Sequence, residues 1–216
     1  LGVPVHKLIC ASNSNKVLFD FFQTGEYDRN RKFVLTTSPS MDILISSNLE
    51  RLIYHIAGDS ASADAGFMKQ LSETGKYQIT DSMREKLSDF ASGWATEAET
   101  AKEIRERYEK DGYVIDPHTA VASAVYGKYR KETGDATRTV IVSTASPFKF
   151  ETAVMKALGK PHELPDLELA DALSAVSGVP VPQAVAGLRG AEIRHKTVCG
   201  RDASAMAAEV EKFLGI

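Results

Sequence analysis

The chain has 216 residues, of which 43% are hydrophobic, 26 are lysine or arginine and 29 are aspartate or glutamate. This is enough apolar material for one large domain or two small ones. The basic residues form no run, which argues against a nucleic-acid surface, and no apolar run approaches the roughly 20 residues of a membrane-spanning helix. Cys10 and Cys199 are too far apart for a redox or zinc motif, and we expect two buried, reduced thiols.

The first part of the chain predicts strands that alternate with helices. Residues 5–11 predict a short strand, which leads into Ser12–Asn15 and then into a helix with an apolar face. Residues 33–36 predict a second short strand. Ser40 is the expected N-cap of a helix over 41–57.

The middle of the chain predicts a more helical and more charged region. The predicted elements are helices at 62–74 and 81–87, a strand at 90–95, and helices at 97–109 and 117–131. Thr96 and Glu99 have the spacing of a capping box, and Asp116 followed by Pro117 opens the last of these helices.

The run Thr139–Val142 predicts a strand that is buried on both faces. Ser143 and Thr144 follow at its carboxyl end, where open α/β sheets bind their ligands. Ser146 can cap a helix whose first residue is Pro147.

The remaining sequence predicts a helix over 147–158, a proline-marked stretch to Pro182, a strand at 192–198 and a helix over 202–214. The whole pattern predicts an α/β fold with a partial parallel sheet flanked by helices. The strands that begin at Val5 and Thr139 are expected in the same sheet.

Five stretches of the chain resemble, in the same order, stretches of threonine synthase, a fold-type II pyridoxal phosphate enzyme. They are KLICASNSN (7–15), TTSPSMDILISSNLERLIY (36–54), DPHTAVA (116–122), TVIVSTASPFKF (139–150) and SGVPVP (177–182). Five matches in one order are far more specific than any one of them. Many members of the family carry histidine at the position of Ser146, so no role is transferred to that side chain.

The resemblance implies the C-terminal portion of the fold-type II (tryptophan synthase β-like) fold. Residues 1–158 would be the C-terminal part of the large cofactor domain with a helical insertion, and residues 159–216 an extension that packs on it. A hydroxyl at the strand end would bond the pyridine nitrogen of the cofactor, which makes Thr144 and Ser143 the cofactor-binding candidates. We favour Thr144.

The resemblance also places the Schiff-base lysine and the phosphate-binding loop upstream of this chain. Leu1–Pro4 looks like the exit of a helix, and nothing like a signal segment precedes the first strand. We therefore expect the C-terminal half of an enzyme, with no catalytic residue of its own and with the missing N-terminal half as its partner.

The activity that the resemblance implies for the whole enzyme is conversion of O-phosphohomoserine and water into threonine and phosphate, in cytoplasmic threonine biosynthesis. The isolated chain is expected to be inactive. Neither a nucleic acid, a membrane nor a metal ion is an expected partner.

Other polar residues have both a functional and a structural interpretation. Asn13 and Asn15 could line a substrate crevice, or they could satisfy the turn and cap the next helix. His118 could bind substrate or do acid–base chemistry, although its place in the first helical turn disfavours a charged imidazole. Lys149 lies inside a helix, which argues against a Schiff base.

Two alternative functions stay open at this point. Another fold-type II enzyme, such as a serine or threonine dehydratase, would share the strand-end hydroxyl. A non-catalytic α/β domain could bind a metabolite or a protein partner. An upstream lysine in an aromatic-flanked turn, together with a Gly-Asn-rich loop, would favour the enzyme.

Overall fold

The computed structural model describes residues 3–216, so the predicted helix exit at Leu1–Pro4 lies partly outside the described residues. The strands are β1 (Leu8–Ser12), β2 (Glu26–Asp28), β3 (Lys76–Gln78) and β4 (Phe90–Trp94). The helices are α1 (Val17–Thr24), α2 (Leu49–Ile56), α3 (Ala61–Thr74), α4 (Asp81–Glu85), α5 (Glu97–Asp111), α6 (Pro117–Thr133), α7 (Glu151–Ala157), α8 (Asp166–Ser177), α9 (Gln183–Ala186) and α10 (Ala203–Leu214). They form two compact units, which divide after Val181.

The first unit contains a two-stranded parallel sheet. β1 and β4 pair from Leu8 opposite Phe90 to Ser12 opposite Trp94. The intervening chain supplies the crossover that a parallel pair needs, with α1 to α4 inside it. The observed fold therefore agrees with the predicted α/β class and its partial parallel sheet.

A second, antiparallel ladder joins β2 and β3 beside the main apolar core. The rings of Tyr27 and Tyr77 lie opposite each other in this ladder and stack with centroids 5.3 Å apart. The Tyr27 hydroxyl donates to the Leu44 carbonyl at 3.0 Å and accepts the Ser46 N–H at 2.8 Å, which satisfies a polar group in an apolar site. The other buried members of this core are Val17, Phe21, Leu49, Ile53, Ile56, Leu71, Ile79, Met83 and Leu87.

Helix α6 covers the parallel sheet, and its packing explains a glycine in β4. A Cβ on Gly93 would lie 2.7 Å from Val125 Cγ1, so only glycine allows the helix this close. Both ends of the preceding helix α5 follow from sequence, because Thr96 and Glu99 form the predicted capping box and Gly112 ends the helix with φ 66°.

The predicted buried strand at Thr139–Val142 is wrong. The segment is in none of the strands, and the side chains of Val140 and Val142 are 84% and 74% exposed. A strand needs a neighbouring edge for its N–H and C=O groups, and the sheets of the described residues contain only β1 with β4 and β2 with β3. The expected pairing of this segment with the first strand is therefore also wrong.

Two further local predictions need correction. Residues 33–36 form no strand, and the helix predicted over 41–57 begins only at Leu49, after a 3₁₀ turn at Pro39–Met41. Cys199 is exposed, so the prediction of a buried thiol is wrong there. Cys10 is half-buried, and burial raises the pKa of its thiol to about 11.

The second unit, residues 182–216, holds α9 and α10. Asp202 caps α10 by accepting the Ala205 N–H at 2.8 Å, and this helix agrees with the one predicted over 202–214. The strand predicted at 192–198 is wrong, because no ladder forms there and Val198 is 93% exposed. The predicted division into residues 1–158 and 159–216 remains a prediction about domains. No helix among residues 3–216 is long and apolar enough to cross a membrane.

Candidate functional site

The turn after β1 is a buried polar cluster. The Asn13 amide donates to Thr36 Oγ1 at 2.9 Å, Ser38 Oγ at 3.1 Å and Asp42 Oδ1 at 2.7 Å, and Asn13 is only 1% exposed. Its own amide oxygen accepts the backbone N–H of Asn15 at 3.1 Å. All of these partners are protein groups, so Asn13 holds the loop of residues 34–42 against the sheet.

The Asn15 side chain holds the same loop by hydrogen bonds to the loop backbone. Its amide exchanges a pair of hydrogen bonds with the N–H and C=O of Val34, both at 2.9 Å, and also donates to Asp42 Oδ1. Asn15 does not cap α1, because the residue before that helix is Lys16, at φ 38° and without a side-chain cap. The capping role considered from sequence is therefore wrong.

The N-terminus of α6 is organised around the buried carboxylate of Asp116, which is 1% exposed. Its Oδ1 atom accepts the backbone N–H groups of His118 at 2.8 Å and Thr119 at 3.3 Å. The same oxygen lies 3.0 Å from His118 Nδ1. These bonds satisfy helix donors that would otherwise lack partners.

The His118 ring has both nitrogens engaged. Nε2 accepts the backbone N–H of Ser40 at 3.2 Å, so the ring proton resides on Nδ1 and is donated to Asp116. The ring also packs on Phe150, with centroids 4.7 Å apart. In this arrangement neither ring nitrogen of His118 is left without a hydrogen-bond partner.

The Thr119 hydroxyl connects α6 to the segment after Val142. It donates to Asp116 Oδ2 and lies 2.8 Å from Ser143 Oγ. Ser143 therefore directs its side chain toward α6. A hydrogen bond from Phe148 N–H to Ser146 Oγ at 3.3 Å follows, and it caps a 3₁₀ turn at Pro147–Lys149, ahead of α7.

A cleft of about 800 Å³ lies beside β1. It is bounded by residues 4–9 on one side and by residues 137–142 on another. Ser40, His118 and Thr144 line it together, whereas Ser143, Asn13 and Asn15 are not among its lining residues. The structure gives the Thr144 hydroxyl no hydrogen-bond partner among the described residues, so it is free to bond a ligand.

An anionic side chain lies elsewhere along the same cleft. Hydrogen bonds from Thr137, together with one from the Tyr129 hydroxyl at 2.9 Å, lower the pKa of Asp135 to about 2. His6 Nε2 lies 3.9 Å from the same carboxylate. Within residues 3–216 no group of three His, Cys, Asp or Glu side chains is arranged to hold a metal ion.

The structure thus brings together two of the five residues predicted for the site. His118 and Thr144 share the cleft, Ser143 faces α6, and Asn13 and Asn15 bind the 34–42 loop. Sequence reasoning missed the linking role of Asp116 and Thr119. The signal was an N-cap aspartate with a hydroxyl residue three positions later, which places that hydroxyl within reach of the carboxylate.

Comparison with known proteins gives a family match over the C-terminal part of the chain. The family model described as "Threonine synthase, C-terminal" matches residues 119–210. The chain is 37% identical over 221 residues to "Threonine synthase-like 1" of Macaca fascicularis, which covers 99% of this chain and 29% of that protein. It is 38% identical over 173 residues to the threonine synthase of Saccharomyces cerevisiae, covering 73% of this chain and 34% of the yeast protein.

Solved structures give the same result. The yeast threonine synthase structure matches 99% of this chain and 43% of its own, with a TM-score of 0.82 and 29% identity. The pyridoxal phosphate-bound threonine synthase from Brucella melitensis matches 82% of this chain and 36% of its own, with a TM-score of 0.68 and 37% identity. The predicted resemblance and fold class are thereby confirmed, and the chain spans about a third of the length of the curated relatives.

Proposed function

We infer that this threonine synthase-like chain is the C-terminal part of a pyridoxal phosphate enzyme that converts O-phosphohomoserine and water into threonine and inorganic phosphate. The similarity to threonine synthases along 99% of the chain supports the reaction class. Because the chain spans only about a third of the curated relatives, turnover is a property of the larger protein. The single observation that carries the proposal is the unpartnered Thr144 hydroxyl in the cleft.

The residues around Thr144 suit an aromatic ring with one polar atom at its edge. The cleft volume falls in the range of about 300 to 1,000 Å³ that is usual for small-molecule sites. Met41 and Ile141 provide apolar surface, and the Thr144 hydroxyl can donate or accept one hydrogen bond. A ring nitrogen bonded to this hydroxyl would be oriented without any demand that it be protonated.

Pyridoxal phosphate, when bound, supplies the electron sink for carbanion chemistry at the substrate. This chain orients the ring through Thr144 and forms one wall of the site. His118 faces the same cleft, and its two engaged nitrogens favour a role in shaping the substrate site over proton transfer. We propose that Asn13 and Asn15 act on substrate only indirectly, by holding the 34–42 loop.

The phosphate groups are expected to bind elsewhere in the larger protein. Asp116 already accepts the N–H groups of His118 and Thr119, so the N-terminus of α6 presents a carboxylate instead of free donors. We therefore propose that the phosphate loop and the Schiff-base lysine come from outside this chain, in a cytoplasmic enzyme of threonine biosynthesis.

Paired substitutions in the full-length protein test the role of Thr144. Thr144→Val keeps the shape of the side chain and removes its hydroxyl, and a buried ring nitrogen left without a partner costs about 1 to 3 kcal/mol. We expect a ten- to hundredfold loss in cofactor affinity, measured by absorbance titration, and a comparable loss in phosphate release. Ser143→Ala removes only the bond to Thr119 and leaves the Thr144 hydroxyl in place, so it should have a smaller effect. If Thr144→Val keeps the cofactor affinity and phosphate release of the wild type while Ser143→Ala loses both, Ser143 is the ring-nitrogen partner.

A second experiment tests whether the 216-residue chain alone lacks the Schiff-base lysine and the activity. The 216-residue chain, mixed with pyridoxal phosphate, should give no yellow lysine adduct that survives dialysis and should release no phosphate from O-phosphohomoserine. Either signal would contradict the proposal. Release of ammonia from serine or threonine by the full-length protein, without phosphate release from phosphohomoserine, would favour a dehydratase instead.

A further inference from the structure

Asp116 is the common partner of two elements that border the cleft. Its carboxylate is buried at the start of α6 and accepts hydrogen bonds through both oxygens. Oδ1 bonds the His118 ring, and Oδ2 accepts the Thr119 hydroxyl. Because a buried carboxylate is costly to leave unsatisfied, the positions of these two side chains depend on it.

The first connection runs to the 3₁₀ turn at Pro39–Met41. The hydrogen bond from His118 Nδ1 to Asp116 fixes the tautomer in which Nε2 accepts from Ser40 N–H. Ser40 and Met41 both line the cleft. Asp116 therefore helps to hold one wall of the cleft through the imidazole.

The second connection runs to the residue that precedes Thr144. Thr119 lies between Asp116 and Ser143, and its hydroxyl contacts both. This contact holds Ser143 toward α6 and outside the set of cleft-lining residues, whereas the next side chain, Thr144, lines the cleft.

We propose that Asp116 and Thr119 are positioning residues that aim the Thr144 hydroxyl into the cleft by holding Ser143 against α6. The inference rests on the proposed function, in which Thr144 bonds the ring nitrogen of the cofactor. Neither Asp116 nor Thr119 touches the cofactor in this arrangement. Their effect passes through the direction of the backbone at residues 143–144.

The test uses Thr119 in the full-length protein, because its two close relatives separate the hydroxyl from the side-chain shape. Thr119→Val removes the hydroxyl, and we expect the dissociation constant of pyridoxal phosphate to rise about tenfold. Thr119→Ser retains the hydroxyl and should stay within about twofold of wild type. Thr133→Val, at the far end of the same helix, is the matched control and should leave the constant unchanged.

A double-substitution cycle tests whether Thr119 acts through Thr144. In a Thr144→Val background, Thr119→Val should cause no further loss of cofactor affinity, because the group that it aims is already absent. Equal affinities for Thr119→Val and Thr119→Ser would overturn the inference, as would losses that multiply in the double variant. If Thr144→Val itself leaves affinity unchanged, the proposed function fails. If only the Thr119 substitutions are silent, the positioning role alone fails.

Discussion

Two polar turns of this molecule follow apolar segments, and they differ in what their side chains bond. In the turn after β1, Asn13 and Asn15 are 1% and 3% exposed, and they bond the 34–42 loop. In the turn after Val142, Ser143 and Thr144 are exposed, and within residues 3–216 only Ser143 has a side-chain hydrogen-bond partner. Both turns have the composition that sequence reasoning associates with ligands, yet the polar side chains of the first turn form their hydrogen bonds with other groups of the protein.

This difference indicates how to separate structural from ligand-binding polar turns. A buried amide with several protein partners contributes to stability, because its removal leaves those partners unsatisfied. An exposed hydroxyl without a partner contributes little to stability and is available to a ligand. Four substitutions test this difference through the free energy of unfolding of the 216-residue chain. Unfolding in urea is monitored by the fluorescence of the single tryptophan, Trp94.

The largest effect is expected for Asn13→Ala. It leaves Thr36, Ser38 and Asp42 without a common donor in a buried site, and we expect a loss of about 2 to 3 kcal/mol. Asn48→Ala, at an exposed asparagine, is the control and should stay within about 0.5 kcal/mol of wild type. An equally small change for Asn13→Ala would show that the buried amide contributes little to stability.

Asn15→Ala should have the next largest effect. The substitution removes the two bonds with the backbone of Val34 and one bond to Asp42, and we expect a loss of about 1 to 2 kcal/mol. Hydrogen exchange gives a local measurement, because the Val34 amide should lose its protection in this variant. Retained protection would show that the loop does not depend on Asn15.

Ser146→Ala should destabilise the chain by about 0.5 to 1 kcal/mol, because it removes the side-chain cap of Phe148 N–H. Ser146→Asp keeps an acceptor at the cap and should restore most of the stability. A loss as large as that of Asn13→Ala would mean that the second turn also carries much of the stability.

The smallest effect is expected for Thr144→Val, within about 0.5 kcal/mol of wild type, since no described residue bonds its hydroxyl. The same substitution is the one expected to weaken cofactor binding in the full-length protein. A destabilisation above about 1 kcal/mol would assign Thr144 a structural role and would weaken the argument for a free ligand-binding group.

Local capping signals predicted the helices that they open, but α8 (Asp166–Ser177) lies in the proline-marked stretch, where no helix was predicted. Thr96 with Glu99, and Asp116 with Pro117, open α5 and α6 where the sequence indicated, because caps act over three or four residues. The helix predicted over 41–57 failed at its start. Asp42 binds Asn13, Asn15 and Thr36, and this tertiary cluster holds residues 34–42 in a loop.

Strand pairing was less predictable, because the sequence of an apolar run does not specify which other segment will form hydrogen bonds with it. Residues 8–12 pair with residues 90–94, whereas residues 139–142 have no neighbouring strand among the described residues. The candidate site was likewise only partly predictable, because it depends on contacts between distant segments. The pattern around Ser143 and Thr144 indicated hydroxyls near a ligand, but the hydrogen bond between Ser143 and Thr119, which distinguishes the two, depends on tertiary contact.

The parallel pairing of β1 with β4 also has a consequence for the order of folding. The paired residues are about 80 positions apart, so closing this ladder requires ordering a long loop, and non-local pairing of this kind is slow. At roughly 5 to 20 residues per second, a ribosome needs about 4 to 16 seconds to synthesise that stretch. During this interval Leu8 and Ile9 have no partner strand, so the parallel ladder can form only after β4 has been synthesised.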